Sequence, residues 1–472
     1  MKNNESQTDK ILLNESITKL LVKYSVPAII GMLVSALYNV VDRMFIGNIP
    51  EVGAIAITGI GVTMPFVTIL LAFGMLLGVG AAANISIKLG QGKRDDAEKI
   101  VGNLLLLSAL VGGIITVVGL IFSQEILTAF GASSESLVYA EKYMNIILAG
   151  SIFNIAGFAL GNTLRSDGSP KISAAIMVFS CLLNIILDPI FIFKFNMGIE
   201  GAAYATILSQ ILTFILTVGY YLSRYSNLKL KKENFFWNME ISKIILIIGL
   251  PPFVMQLVNS LIQIINNNIL KAYGGDFAIG AMATVNGIGM LCLMPIFGIA
   301  QGSQPIIGYN YGAKNYDRVK ETIYKSGIFA FLLLVIPYFI VQFFSDSVIK
   351  TFNSDPAIVN IAVRGLKIYT LCYPTIAIGM VGSQFFQAIA KAKIALFLSL
   401  SRQALILIPV TLILTPIIKL DGVWVAQPVS DFLSAILASY FVIKEFRKFD
   451  VLQKEEDIEE EIIENLVEER CI

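Results

Sequence analysis

Apolar runs long enough to cross a bilayer recur along the whole of this 472-residue chain, and few folds can absorb them. About 20 helical residues span the hydrocarbon. Runs of that kind fall at residues 17–46, 55–87, 100–122, 143–164, 172–193, 202–221, 241–270, 279–307, 322–344, 368–390, 394–418 and 423–443. Backbone polar groups in lipid must be paired within the segment, so these runs predict helices. The composition agrees: 15% of residues are charged, against about 25% in soluble proteins. The expected fold is an all-α polytopic membrane protein of twelve transmembrane helices.

The connecting charges test that count. Lys2, Lys10, Lys19 and Lys23 precede or open the first run; Lys88, Lys93, Arg94 and Lys99 follow the second; Arg165 and Lys171 follow the fourth. Arg224, Lys229, Lys231, Lys232 and Lys243 follow the sixth, and Lys314, Arg318, Lys320 and Lys325 the eighth. Lys391 and Lys393 follow the tenth, and Lys444, Arg447, Lys448 and Lys454 the last. The alternate loops carry Glu51, Glu125, Glu135, Asp276, Asp346 and Asp355 instead. This alternation predicts a multi-pass protein of the cell membrane with both termini cytoplasmic. Residues 1–20 are polar and predict no removable signal peptide.

Several function classes drop out. The chain has no histidine, which removes His triads, His proton relays and His-bound metals. Cys181, Cys292, Cys372 and Cys471 are isolated and make neither a disulfide framework nor a zinc site. A net charge of +1 gives nucleic acid nothing to bind. Gln91-Gly92-Lys93-Arg94 lacks the spacing of a phosphate loop, so energy must come from a gradient. No enzyme and no cofactor are expected.

The chain repeats itself. Pro27, Leu33-Val34, Leu37 and Val41-Asp42 match Pro251, Leu257-Val258, Leu261 and Ile265-Asn266; Gly90 matches Gly312; Glu200-Gly201 matches Asp421-Gly422. Six spans per half put both halves in one orientation, as in transporters built from parallel repeats. The expected organisation is a cytoplasmic N-terminus (1–16), an N-terminal six-helix lobe (17–223), a cytoplasmic linker (224–240), a C-terminal six-helix lobe (241–446) and an acidic tail (447–472). In the tail Ile458, Ile462 and Leu466 recur every four residues.

Polar groups inside the spans are the functional candidates, because an ionised side chain in hydrocarbon costs several kcal/mol. Asn184 and Asp188 lie one helical turn apart in the fifth run, with Pro189 beside the acid to bend the helix. Topology places Asp42, Asp188 and Thr206 at one depth, in the outer half, with Tyr38 and Asn184 about one turn deeper. Two carboxylates that close, in low dielectric, cannot both ionise cheaply. Such a pair takes a proton, or holds sodium with help from Asn184 and Thr206. Either cation makes the site a switch, driven by about 2.3 kcal/mol per charge per 100 mV. Asn154, midway along the fourth run, is placed to reach the same cavity. In the C-terminal half Gln256, Asn259, Gln263 and Asn266 form one stripe, and Arg402 and Asp431 are expected to neutralise each other.

As a set, these features resemble the MATE family, the multidrug and toxic compound extrusion transporters. The likeness rests on Tyr38 and Asp42 followed by Phe45-Ile46-Gly47, on Asn184 and Asp188-Pro189, and on Gly201-Ala202-Ala203 leading to Thr206. It runs from Leu20 to Phe446 and is similar to the MepA-like bacterial branch. The resemblance implies a monomeric antiporter in the lipid bilayer, exporting bulky, often cationic, lipophilic drugs or toxic compounds against H⁺ or Na⁺. Its coupling residues carry over to Asp42, Asn184, Asp188 and Thr206, which would also be the metal ligands if the ion is Na⁺. Tyr38 and Asn154 carry over as drug contacts. One branch of the family has acids in the seventh and tenth spans; this chain has none near Asn259 and none in its tenth run, which concentrates coupling in the N-terminal lobe. The rival expectation is a flippase for lipid-linked saccharides, which shares the duplicated architecture but calls for a basic cavity.

Overall fold

The computed structural model describes residues 7–50, 53–352 and 355–471, and its regular elements are helices. A short α1 (Gln7–Asn14) leads into α2 (Ile17–Gly47), α3 (Gly53–Gly90), α4 (Arg94–Ile121) and α5 (Ser123–Ala129). Then come α6 (Ser134–Ala149) and α7 (Ser151–Ser166), bent by 55° at their junction. Helix α8 (Pro170–Pro189) opens on a proline, whose missing N–H is an orphan at that position anyway. Helix α9 (Gly198–Leu222) precedes the long α10 (Met239–Gly312), whose one non-helical residue is Gly275 at φ 64°, a conformation open to glycine. The chain ends with α11 (Tyr316–Phe352), α12 (Pro356–Tyr369), α13 (Tyr373–Ala388), α14 (Ala392–Leu400), α15 (Ile408–Ile418) and α16 (Leu420–Cys471).

Among the described residues nine helices are long and apolar enough to cross a membrane, ten if α6–α7 counts as one span. The protein is an all-α, multi-pass membrane protein. Helix lengths and apolar runs differ at three places. Runs 241–270 and 279–307 both lie on α10, either side of Gly275; run 143–164 spans the bend between α6 and α7; run 368–390 spans the break between α12 and α13. The amphipathic periodicity expected of the tail involves Ile462 and Leu466, whose side chains lie outside the described set, although the backbone of α16 is helical there.

One hydrophobic cluster draws on residues from Ile46 to Ile245, and two more on residues from Leu270 to Phe449. Helices α3 and α10 meet between these regions through side chains such as Phe73 and Phe253, 4.9 Å apart, and, at two points, backbone to backbone. A Cβ on Gly80 would lie 2.0 Å from the Ile245 carbonyl oxygen, and one on Gly249 1.7 Å from that of Leu76. A second crossing repeats the device: Gly90 against the Tyr309 oxygen at 2.0 Å and Gly312 against that of Ile87 at 2.2 Å. Glycine is what permits backbones this close. Both crossings lie at the end of the bundle where α3 finishes and α10 begins and finishes.

The segment between α9 and α10 is tied to the N-terminal half. Asp167, fully buried in the α7–α8 turn, accepts from Tyr220 Oη (2.6 Å), Ser226 Oγ (3.0 Å) and the backbone N–H groups of Asn227 (3.0 Å) and Leu228 (2.9 Å). Glu98 accepts from the Lys229 N–H at 3.0 Å and pairs with Lys231 at 2.6 Å; Asn103 accepts from the Asn238 N–H at 2.8 Å. On the far side, Arg318 of α11 donates to the Leu12 and Glu15 carbonyl oxygens (2.9 and 2.7 Å), fastening α1 to the C-terminal half.

Candidate cation-coupling site

Three helices build the site. On α2, Tyr38 and Asp42 are one turn apart and so share a face. Asp42 is 9% exposed, while its neighbour Arg43 turns away to the Met64 sulfur at 4.0 Å. Among the described residues Asp42 forms no ion pair with Arg43, although that charge is still near enough to be felt. On α8, Asn184 and Asp188 repeat the one-turn spacing, and Asp188 is fully buried. Pro189 does not end the helix. The chain passes into a π-helical turn, Ile190–Lys194, in which the Phe195 N–H reaches back to the Ile190 oxygen at 2.9 Å. Such a turn absorbs the donor that proline lacks. On α9, a Cβ on Gly201 would meet the Phe191 oxygen at 2.9 Å, so glycine lets this helix press against the π turn and brings Thr206 to the two acids.

Five of the six residues singled out by sequence meet here. The Asp42 and Asp188 carboxyl groups are neighbours, close enough for each to act on the other's charge. With its amide assigned so that the nitrogen faces the acid, the orientation that satisfies both its ends, Asn184 donates to Asp188 Oδ2 at 2.9 Å and accepts from the Thr206 N–H at 3.1 Å. Tyr38 lies beside Thr206 and the two acids. Asn154 stands apart: it is partly buried on α7 and makes no side-chain hydrogen bond among the described residues. Sequence reasoning missed Tyr143 of α6, which is buried beside Thr206 and the two acids. The signal was present, since Tyr143 opens the fourth run at the depth assigned to Asp42.

The arrangement is short of positive charge. Asp42 Oδ1 and Asp188 Oδ1 are both buried and have no hydrogen-bond partner. Buried oxygens of that kind call for a donor or a cation. A proton shared by the pair satisfies one of them. A sodium ion fits as well, because a hard cation takes oxygen ligands and the two acids, the Asn184 amide and Thr206 supply them. No cluster of three or more acids, cysteines and histidines accompanies them among the described residues, so the donor set suits a singly charged ion better than a tightly held divalent one.

A family profile described as MatE matches the chain twice, over residues 27–190 and 251–413. The chain belongs to the MatE family. Multidrug export protein MepA of Staphylococcus aureus (strain N315) is 31% identical over 430 residues, covering 90% of this chain and 93% of that protein. MepA of Staphylococcus haemolyticus (strain JCSC1435) is 29% identical over 427 residues with the same coverage. Among solved structures, the outward-facing conformation of a multidrug resistance MATE transporter of the MOP superfamily superposes with a TM-score of 0.89 at 25% identity, covering 95% of this chain and 99% of that one. A MOP superfamily transporter from Pyrococcus furiosus, described as having a binding pocket of reverse polarity, gives the same score, identity and coverage.

The second half of this MatE protein holds a different polar group. Arg402 Nε donates to Asp431 Oδ1 at 2.8 Å, and Gln427 Nε2 donates to the same oxygen at 3.0 Å. The expected neutralisation is present. Arg402 lies in a seven-residue π-helical turn, Ser401–Leu407, between α14 and α15. On α10, Asn259 donates to Gln256 at 3.3 Å, and the stripe continues through Gln263 and Asn266, both at least partly exposed.

Proposed function

We propose that this protein is a cation-driven antiporter that exports bulky, often cationic, lipophilic drugs in exchange for H⁺ or Na⁺. One observation carries the reading: two neighbouring carboxylates, buried among the helices, each with an oxygen that nothing among the described residues satisfies. Entry of a cation screens the repulsion within the pair, and its departure restores it, so occupancy and conformation are linked. Asp42 and Asp188 bind the ion, while Asn184 and Thr206 complete its shell. Tyr38 and Asn154 line the path of the drug.

The architecture behind this reading is twelve spans in two like-oriented six-helix lobes. Dividing α10 at Gly275, and counting α6–α7 and α12–α13 as one span each, supports that number. The two-fold family match supports the repeat, and the basic loops support cytoplasmic termini. With that topology the glycine crossings of α3 and α10 seal the cytoplasmic side. The half-exposed amides of α10 then face a wet cleft open outward rather than lipid. Proteoliposomes loaded with ethidium test the reading. An imposed pH or Na⁺ gradient drives export in wild type, and the gradient that works names the ion. Export that persists with every gradient collapsed rules out antiport.

A further inference from the structure

The Arg402–Asp431 pair does more than cancel charge. Asp431 accepts through Oδ1 alone, from Arg402 Nε and Gln427 Nε2. Arg402 thus spends only the Nε edge of its guanidinium. Its two terminal nitrogens make no hydrogen bond among the described residues, and they are not among the enclosed unpaired atoms. The arginine side chain keeps 12% exposure while that of Asp431 has none, so the open edge of the pair belongs to the cation.

Both residues lie about ten positions inside their helices, roughly 15 Å from either membrane face. Free donors at that depth would not be left toward lipid. The fork is held in place from behind. Ser430 Oγ bonds the Arg402 carbonyl oxygen, tying the π turn to α16. Leu407 of the same turn packs with Ile262 and Val258 of α10, the helix that carries the half-exposed amide stripe. A planar fork with two free parallel donors matches a carboxylate bidentately.

We propose that Arg402 is a carboxylate-binding subsite, which receives the acidic group of anionic or zwitterionic drug molecules while Asp431 and Gln427 hold its fork in position. The proposal rests on the drug-export reading and extends it. The acid pair of the N-terminal half takes positive charge, and Arg402 takes the negative end of a substrate that carries both. Asp431 keeps the empty subsite neutral, so it needs no ion of its own between cycles.

The test compares rhodamine 110, a free carboxylate, with rhodamine 123, its methyl ester. Fluorescence anisotropy with the purified full-length protein in a maltoside detergent reads binding directly. In the double variant Arg402→Gln/Asp431→Asn, which leaves no unpaired acid, rhodamine 110 should bind about tenfold or more weakly, as loss of a charge-assisted bidentate contact implies. Rhodamine 123 should stay within about twofold. Arg402→Lys, which keeps the charge and loses the fork, should lose part of the rhodamine 110 affinity and spare rhodamine 123. Unchanged rhodamine 110 affinity in both variants overturns the subsite, as does equal loss of both dyes or a wild type that binds only the ester. Phosphatidylglycerol added to the micelles tests the other source of an oxyanion. If it displaces rhodamine 110 from wild type but binds the double variant no better than background, the site belongs to lipid headgroups and the drug assignment falls. Export of rhodamine 123 by wild type in proteoliposomes is scored separately: its absence counts against antiport and leaves the binding result standing.

Discussion

The two halves of the molecule each bury an ionisable pair, and the pairs are built on opposite principles. In the N-terminal half, like meets like: Asp42 against Asp188, with two oxygens unsatisfied. In the C-terminal half, Asp431 meets Arg402 at 2.8 Å and a glutamine besides. A family profile that matches both halves gives them a common ancestry of shape. Charge has diverged on that shape. Both pairs leave buried oxygens unpaired, Asp42 Oδ1 and Asp188 Oδ1 in the first and Asp431 Oδ2 in the second, but the second holds a cation of its own at 2.8 Å and the first, among the described residues, holds none within that reach. A pair with no fixed countercharge in contact is what a coupling site needs; a pair that carries its own countercharge stays neutral without a mobile ion.

That contrast is open to direct attack. Asp188→Asn should abolish gradient-driven ethidium export while the protein still elutes as a folded, monodisperse species; a variant that exports at the wild-type rate ends the coupling role. Asp42→Asn should lose export in the same assay, and because it removes repulsion rather than a partner, its thermal midpoint should not fall. The opposite sign belongs to the other pair. Asp431→Asn strands a buried arginine and should destabilise by roughly 3–5 kcal/mol in denaturant titration, whereas the neutral double variant at 402 and 431 should recover most of that. If both single acid substitutions shift stability alike, the two pairs do not differ in kind. Gly249→Val, placed where a Cβ meets the Leu76 oxygen at 1.7 Å, should prevent the α3–α10 crossing from closing; engineered cysteines reporting on that crossing should lose their cross-link in the variant.

The smallest effect concerns Asp167, outside the spans. Burial pushes its carboxyl up to about 6, against the opposing pull of hydrogen bonds from Tyr220, Ser226, Asn227 and Leu228. A raised acid favours the folded state most below its unfolded value near 4, and loses that contribution as pH climbs through about 6. Wild type should therefore gain thermal stability relative to Asp167→Asn as pH falls from about 7 to about 5. A constant difference between the two across that range would mean that Asp167 does not titrate there.

Sequence carried the reader far into the N-terminal site, for physical reasons. Helical period put Asn184 over Asp188 and Tyr38 over Asp42, and topology set the depth of Thr206; five residues then had only to face inward, and they do. Tyr143 was legible only in its depth; its neighbours, and the isolation of Asn154, depend on which helix lies beside which, and no local pattern encodes that. The bend expected at Pro189 became a π turn, because the choice between kinking and widening is made by what packs alongside, here Gly201 of α9. Helix α1 escaped notice because eight mostly polar residues give no hydrophobic period; its anchor, Arg318, is some 300 residues distant.

The glycine crossings have a mechanical corollary. At the glycine contacts themselves no rotamers interlock, and the side chains that do pack, such as Phe73 against Phe253, lie to one side. Parting the helices there drags little through its neighbours, and bringing them back requires no threading. Such a joint resembles two polished plates more than a clasp: watertight when pressed together, quick to separate, and indifferent to how many times it has been opened.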